Sequence, residues 1–295
     1  MNHAFLIQAH NQPQLIKLIV DILNSPNHYF FIHIDKKSYK LLNSNEIKAL
    51  SKMNNVKIYS FMKVNWGSSN QFLVSLHLLK KAMESNLQCE YYHLISGADL
   101  PLKNRNDFDL FFFNKDKSYI GLVSKDEALQ HKQRLLIYYF RDIMNYRGNL
   151  TCKCICKILE KTQFLLLKLG IKIRSELKFE LYKGSQWWSL NKKIVKYIIS
   201  FCDENPSYIK RFKYTDCCDE IFFHSIIMNS KYKDQIENNN LRYIDWKPKY
   251  QNAPVPCTLT ADDWVSIEKS NALFCRKIDW NVSQELIEII KTKLL

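Results

Sequence analysis

A chain of 295 residues carries 43 Lys and Arg against 29 Asp and Glu, a net charge of +14, and is 46% apolar. That length and apolar content support a sizeable buried core and exclude a disordered or low-complexity chain. No run reaches the roughly 20 apolar residues of a membrane span, and the first ten residues lack the basic start and apolar stretch of a secretory signal.

The excess positive charge favours anionic partners: sugar nucleotides, anionic lipid surfaces or nucleic acid. Nucleic acid requires a stripe of Arg with exposed aromatics. The lysines here are scattered, so nucleic acid is set aside. The nine cysteines are odd in number. Cys152, Cys154 and Cys156 alternate with other residues and Cys217 adjoins Cys218, without the C-x-x-C spacing of a zinc site. They read as reduced thiols of a cytosolic protein.

In chain order, His3–Ala9 is a short buried strand. His10 and Asn11 follow, and Pro13 opens a helix on which Leu15, Leu18, Ile19 and Ile22 recur, with Asn11 placed to cap it. Residues 29–34 form a second strand ending at Asp35. A helix over 46–51 and a short strand at 56–59 come next. Val64, Trp66, Gly67 and Ser68 form a loop. A helix from Asn70 sets Phe72, Leu76, Leu79 and Met83 on one face. Residues 91–95 are a buried strand that breaks at Ser96, Gly97 and Asp99, and Pro101 forbids further pairing.

This alternation predicts a parallel sheet covered by helices on both faces. Ligands of such sheets sit outside the carboxyl ends of the strands. His10-Asn11, Asp35 and Ser96-Asp99 gather there with Trp66-Gly67, and together they point to a nucleotide pocket. Strand ends are also polar for want of burial, so no one of them decides the matter.

The middle is less regular. A helix over 106–113, a strand over 118–123 and mostly basic helix over 130–180 are expected. Lys153, Lys157, Lys161 and Lys168 mix there with Ile155, Ile158, Leu159, Phe164 and Leu165. The favoured reading is a packed amphipathic helix with a solvated basic face, and the alternative is a helix lying on an anionic membrane. Gly184-Ser185-Gln186-Trp187-Trp188-Ser189-Leu190 reads as a strand before a helix from Asn191. Neighbours on a strand face opposite ways, which gives one Trp to the core and the other to a cleft, where it would stack on a sugar; the alternative is that both are core. Asp219-Glu220 precede Ile221, Phe222 and Phe223. Capping of helix N–H groups accounts for one carboxylate. The other suits a general base. A strand over 241–246 and a helix over 262–269 lead to Arg276 and Lys277, a pair suited to clamping a diphosphate. A last helix spans 283–293.

The order of these motifs resembles the core-2/I-branching β-1,6-N-acetylglucosaminyltransferases and the related peptide O-xylosyltransferases. The resemblance rests on Ala4-Phe5-Leu6-Ile7-Gln8-Ala9-His10, His33-Ile34-Asp35-Lys36-Lys37, Val64-Asn65-Trp66-Gly67 and Leu94-Ile95-Ser96-Gly97-Ala98-Asp99-Leu100-Pro101-Leu102. It continues through Gly184-Ser185-Gln186-Trp187-Trp188, Asp219-Glu220-Ile221-Phe222-Phe223-His224 and Phe274-Cys275-Arg276-Lys277. It implies an α/β, GT-A-like (Rossmann-like) fold. A mixed, mostly parallel sheet flanked by helices would form one domain over 1–295, with a nucleotide-binding half, 1–125, and an acceptor and catalytic half, 126–295.

It further implies inverting transfer from a UDP-sugar to an acceptor hydroxyl without a divalent metal or other cofactor. Glu220 falls on the family's catalytic base. Arg276 and Lys277 fall on the basic residues that neutralise the leaving diphosphate. Donor binding is assigned to His10, Asn11, Asp35, Trp66, Gly67, Ser96, Asp99, Gln186, Trp187 and Trp188 with that pair. The one literal Asp-x-Asp, Asp107-Phe108-Asp109, sits at an expected helix start, where capping explains it. Gln186 stands where xylosyltransferases carry an acidic residue, favouring N-acetylglucosamine as donor. The run from Glu220 to Ser230, followed by Asn239-Asn240-Leu241-Arg242, leans toward xylose. With the first strand so close to Met1, the expectation is a bacterial cytosolic version, peripheral at the inner face of the plasma membrane. A glycan or lipid-linked glycan of a surface polysaccharide or lipopolysaccharide would be its acceptor. A non-catalytic sugar-nucleotide-binding protein is the alternative.

Overall fold

The apolar runs of the first hundred residues become strands covered on both faces. In the computed structural model, which describes residues 1–251 and 253–295, β1 (His3–Ala9), β2 (His28–Ile34), β3 (Val56–Tyr59) and β4 (Tyr91–Ser96) run parallel. A two-residue β5 (Leu100–Pro101) leaves that sheet. β6 (Ser118–Leu122), β7 (Gly184–Asn191) and β8 (Ile236–Asn238) complete it in the order β3-β2-β1-β4-β7-β6-β8. Only β7 runs antiparallel to its neighbours. The fold is thus mixed α/β in one domain with a mostly parallel sheet, as the alternation requires. The two expected halves share that sheet, because β7 from the second lies between β4 and β6 from the first.

Strand alternation divides the interior into two cores. Phe5 and Ile7 of β1 face helices Pro13–Leu23 and Gln284–Leu294, while Ala4 and Leu6 face helices Asn70–Glu84, Lys192–Glu204 and Phe222–Met228. Asn191 caps its helix, its side chain accepting from the Ile194 N–H. β9 (Arg242–Ile244) and β10 (Phe274–Arg276) pair with each other, and β10 also pairs with β5. The Ile278 N–H donates to the Ala98 carbonyl at 2.9 Å. This small sheet therefore fixes the Arg276 segment against the exit of β4.

Three local expectations need correction. Gln12, not Asn11, opens the first helix, at φ 56°, and its carbonyl accepts from the N–H groups of Leu15 and Ile16. With Pro13 in the first turn, the chain has already turned one residue later than a side-chain cap at Asn11 would need. The helix expected over 106–113 spans Arg105–Phe112, and Asn104 caps it by accepting from the N–H groups of Asn106 and Asp107. Capping therefore engages Asp107 but leaves Asp109 unexplained. Its carboxylate turns to His28 Nε2 at 2.7 Å and His3 Nε2 at 3.2 Å, while Asn27 donates to its second oxygen. Residues 130–180 are not continuous helix. Short 3-10 turns at Lys132–Leu135 and Phe140–Asp142 precede a single helix, Leu150–Lys168, which Asn149 caps.

Candidate active site

The carboxyl ends of β1, β2 and β4 gather the polar residues singled out by the sequence. Asp35 follows β2 and is buried. Its Oδ1 accepts from the Lys37 N–H at 2.8 Å and the Val64 N–H at 3.3 Å, so it stitches the strand end to the loop carrying Trp66. Lys37 Nζ lies 3.6 Å from Asp35 and donates to Asn65 at 3.0 Å. His10 follows β1. The residue as a whole is exposed, and its pKa is lowered first by desolvation of the ring, with Asp35 opposing and Lys277 and Lys37 adding to the fall. Asn11 is exposed beside it.

At the exit of β4 the carboxylate expected to face substrate lies inside. Asp99 is fully enclosed, and it accepts from Ser96 Oγ at 2.8 Å and from the Ser96 N–H at 3.1 Å. Arg276 NH1 stands 3.3 Å from its Oδ1. The cause is local. The turn before Pro101 folds Asp99 back onto the strand end, where it satisfies an N–H left unpaired as β4 stops and provides a counter-charge for β10. The Arg276 guanidinium lies 4.4 Å over the Trp187 ring. Burial pushes its pKa down and Asp99 works against that. Lys277 is exposed next to it, its pKa lowered by partial burial and by Arg276 and Arg147. Asp99 and Ser96 are thus positioning groups for Arg276, and Lys277 is the cation left facing outward.

Both tryptophans are buried in the same core, Trp187 at 9% and Trp188 at 0% exposure, so neither faces the cleft expected of one of them. Trp187 supports Arg276. Trp188 is sealed in the core against Phe223 and presents no face to a ligand. Gln186 is partly buried, and its Nε2 is enclosed without a hydrogen-bond partner.

Trp66 and Gly67 join this edge to a second cluster. Trp66 is 42% exposed with the Arg147 guanidinium 3.7 Å from its ring centre. Gly67 has φ +72°, and a Cβ there would come within 2.7 Å of Asp216 Oδ1 and 2.8 Å of Arg141 NH1. Only glycine lets the loop pass over this ion pair. The Gly67 carbonyl accepts from the Cys217 N–H at 3.0 Å, which brings the Cys218–Glu220 turn alongside.

Glu220 sits on that turn, with its side chain 32% exposed. Arg134 NH1 donates to Glu220 Oε2 at 2.9 Å while its Nε lies 3.9 Å from Asp216, and Lys183 Nζ lies 3.5 Å from the same Glu220 oxygen. The neighbouring Asp219 is buried, and burial followed by the Glu220 charge raises its pKa. Of the two carboxylates only Glu220 reaches solvent. Neither begins a long helix, since the turn precedes helix Phe222–Met228, so capping explains neither.

Arg134, Arg141, Arg147, Lys183 and Asp216 carry no local motif and were not singled out by the sequence. Lys183 and Asp216 do adjoin motifs that were. The site as built can orient a carboxylate that remains open to an acceptor and set cations beside a leaving anion. Among the described residues the one group with metal-ligand geometry is His3, His28 and Asp109. His3 and His28 start β1 and β2, so a seven-residue strand, about 20 Å, separates them from the site.

A family model described as Core-2/I-Branching enzyme matches residues 3–271. The chain is similar to xylosyltransferase 2 of Rattus norvegicus, with 22% identity over 97% of this chain and 33% of that protein. It is also similar to xylosyltransferase 1 of Rattus norvegicus, with 23% identity over 96% and 34%. For xylosyltransferase 2 of Homo sapiens the identity is 22%, over 97% and 33%. The chain spans about a third of the length of these curated relatives. A crystal structure of an active-site mutant of LgtC aligns with a TM-score of 0.41 and 10% identity, over 100% of this chain and 96% of that one.

Proposed function

The chain belongs to the Core-2/I-Branching enzyme family, and on that premise we propose that it is an inverting, metal-independent glycosyltransferase that moves N-acetylglucosamine from its UDP-sugar to a hydroxyl of a glycan acceptor. The observation that carries this reading is the Arg276 guanidinium held between Asp99 and the Trp187 ring with Lys277 open beside it. In the proposed reaction Glu220 takes the acceptor proton as the acceptor oxygen attacks the anomeric carbon. The bond from that carbon to the diphosphate breaks, and its electron pair goes to the departing UDP. Arg276 and Lys277 oppose the charge that develops there.

Metal independence is supported by the donor set. A metal-using transferase needs free carboxylates at the strand exit. Here both Asp99 oxygens are taken by Ser96, and Oδ1 also faces Arg276. The names of the relatives favour a second donor, UDP-xylose. Gln186 favours N-acetylglucosamine, since an amide stands where xylosyltransferases carry an acidic residue. A lipid-linked or surface-polysaccharide glycan is the proposed acceptor.

Thermal stabilisation by a panel of UDP-sugars in EDTA tests the reading. The expected result is a larger shift with UDP-N-acetylglucosamine than with UDP, UDP-xylose or UDP-glucose. A larger shift with UDP-xylose changes the donor and keeps the chemistry. No shift with any uridine nucleotide, or one that appears only with added Mn²⁺, overturns the proposal.

A further inference from the structure

Helix Leu150–Lys168 lies in the connection between β6 and β7 and rests on the protein along one edge. Cys156 is its buried side chain. Glu160 turns inward, 3.5 Å from Arg141, and the Gln163 amide brackets Tyr138, accepting from its N–H and donating to its carbonyl, each at 2.8 Å. The apolar residues expected to pack point the other way. Ile155, Ile158 and Leu165 are 43%, 63% and 58% exposed, and Leu169, just past the helix, is 68% exposed.

At 3.6 residues per turn these four fall within an arc of roughly 80°. Lys157, Lys161 and Lys168 form a second row along one flank of that strip, and all three are exposed. Glu160 is the helix's only acidic residue and is occupied by Arg141. The outward face therefore pairs an apolar strip with an unopposed cationic row. A helix presented to water has the strip inside, and a helix buried in a fold has no such row. No described helix is long and apolar enough to cross a membrane. The pattern is that of a helix lying in a lipid interface, with its strip at the acyl boundary and lysine stems reaching up to phosphates.

We propose that helix Leu150–Lys168 docks flat on an anionic phospholipid surface through Ile155, Ile158, Leu165 and Leu169, with Lys157, Lys161 and Lys168 on the lipid phosphates. Charge complementarity selects this occupant over a second copy of the chain, which carries the same +14 excess and would set lysine row against lysine row. The inference stands on the helix and does not depend on the donor. One consequence rests on the proposed transfer reaction. Arg141 links Glu160 of this helix to Asp216 of the Glu220 cluster, so docking sets the acceptor side of the site near the lipid surface.

The experiment is flotation of the full chain with vesicles of phosphatidylcholine alone or with phosphatidylglycerol, at low and high salt. Two variants accompany it, Lys157→Gln/Lys161→Gln/Lys168→Gln and Ile158→Asp/Leu165→Asp. All five side chains are exposed, so both variants should melt like the parent. The expected result is salt-sensitive binding to the phosphatidylglycerol vesicles only. The lysine variant should weaken it about a hundredfold, each lysine near the surface contributing about fivefold, and the aspartate variant should abolish it. No binding of the parent to anionic vesicles overturns the proposal. So does binding that survives both variants, or self-association in solution that the aspartate variant removes while lipid binding remains. Donor-induced thermal shifts should be equal in all three proteins, which separates failure of this inference from failure of the transferase reading.

Discussion

Asp99 and Arg276 meet 3.3 Å apart beneath the exit of β4, with Asp99 fully enclosed and Arg276 laid over Trp187. The pair turns a buried acid into a support for a buried base, and the base faces the edge where the parallel strands end. Breaking one partner of such a pair leaves an uncompensated charge. Asp99→Asn should lower stability by about 3 kcal/mol and weaken UDP binding together with it. Lys277→Gln changes an exposed residue. It should alter stability by no more than about 0.5 kcal/mol while weakening UDP binding about tenfold, the loss of one charge-assisted hydrogen bond. Urea unfolding and UDP titration read both quantities. Equal stability losses in the two variants would contradict the division of labour between these residues.

Glu220 depends on Arg134 in a different way. Arg134 spans Glu220 and Asp216 and so fixes the direction of the Glu220 carboxylate. Glu220→Gln should lower turnover at least about a thousandfold, within the range of general-base catalysis, with UDP affinity retained. Arg134→Met should lower kcat by about tenfold to a hundredfold through misplacement of the base, again with UDP affinity retained. Arg134→Lys should recover little, because an ammonium cannot reach two carboxylates in fork geometry. Unchanged turnover in Glu220→Gln would remove it from the reaction.

Strand and helix order was legible because burial on two faces writes continuous apolar runs, as in His3–Ala9 and Tyr91–Ser96. Glu220, Arg276 and Trp66-Gly67 were legible as motifs. The roles inside the site were not. Nothing adjacent to Asp99 in the chain says that its counter-ion comes from residue 276, and nothing near Glu220 announces Arg134 or Lys183. Those facts follow from the pairing of β5 with β10 and from the fold of residues 125–183, which have little periodicity to read. The Leu150–Lys168 helix was legible as amphipathic, but which face packs depends on Arg141 and Tyr138 of an irregular segment.

Gly67 offers a test of the loop over Asp216. An alanine there must accept φ +72° and place its Cβ against both members of the Arg141–Asp216 pair. Backbone strain alone costs about 1–2 kcal/mol, and displacement of Asp216 disturbs the partner of Arg134. Gly67→Ala should therefore lose both stability and turnover, the latter by more than a lost fraction of folded protein explains. Full activity in a folded Gly67→Ala protein would show that Asp216 does not govern Glu220.

Stability should fall on acidification from near pH 6.5 through the buried imidazoles, against the opposing contribution of Asp219, whose carboxyl pKa is raised by burial and which therefore stabilises the fold as pH falls. Burial holds the imidazoles of His33 and His224 down to about 4 in the folded chain, against an ordinary value of about 6.5 once unfolded. Between those limits the unfolded state binds more protons than the folded one, so stability present above pH 6.5 is lost as pH falls toward 4. His3 and His93, also depressed chiefly by burial, act in the same direction. Asp109 adds a lower window. The hydrogen bonds from His3, Asn27 and His28 outweigh burial and hold its carboxyl below the usual value, so its contribution is present above about pH 4 and disappears below that. Urea midpoints should drop progressively from pH 7 through 5, and His224→Leu should flatten part of that slope. Asp109→Asn should leave the slope between pH 7 and 5 largely in place while reducing the loss below pH 4. A midpoint constant from pH 7 to 5 would mean that these imidazoles are not buried in neutral form.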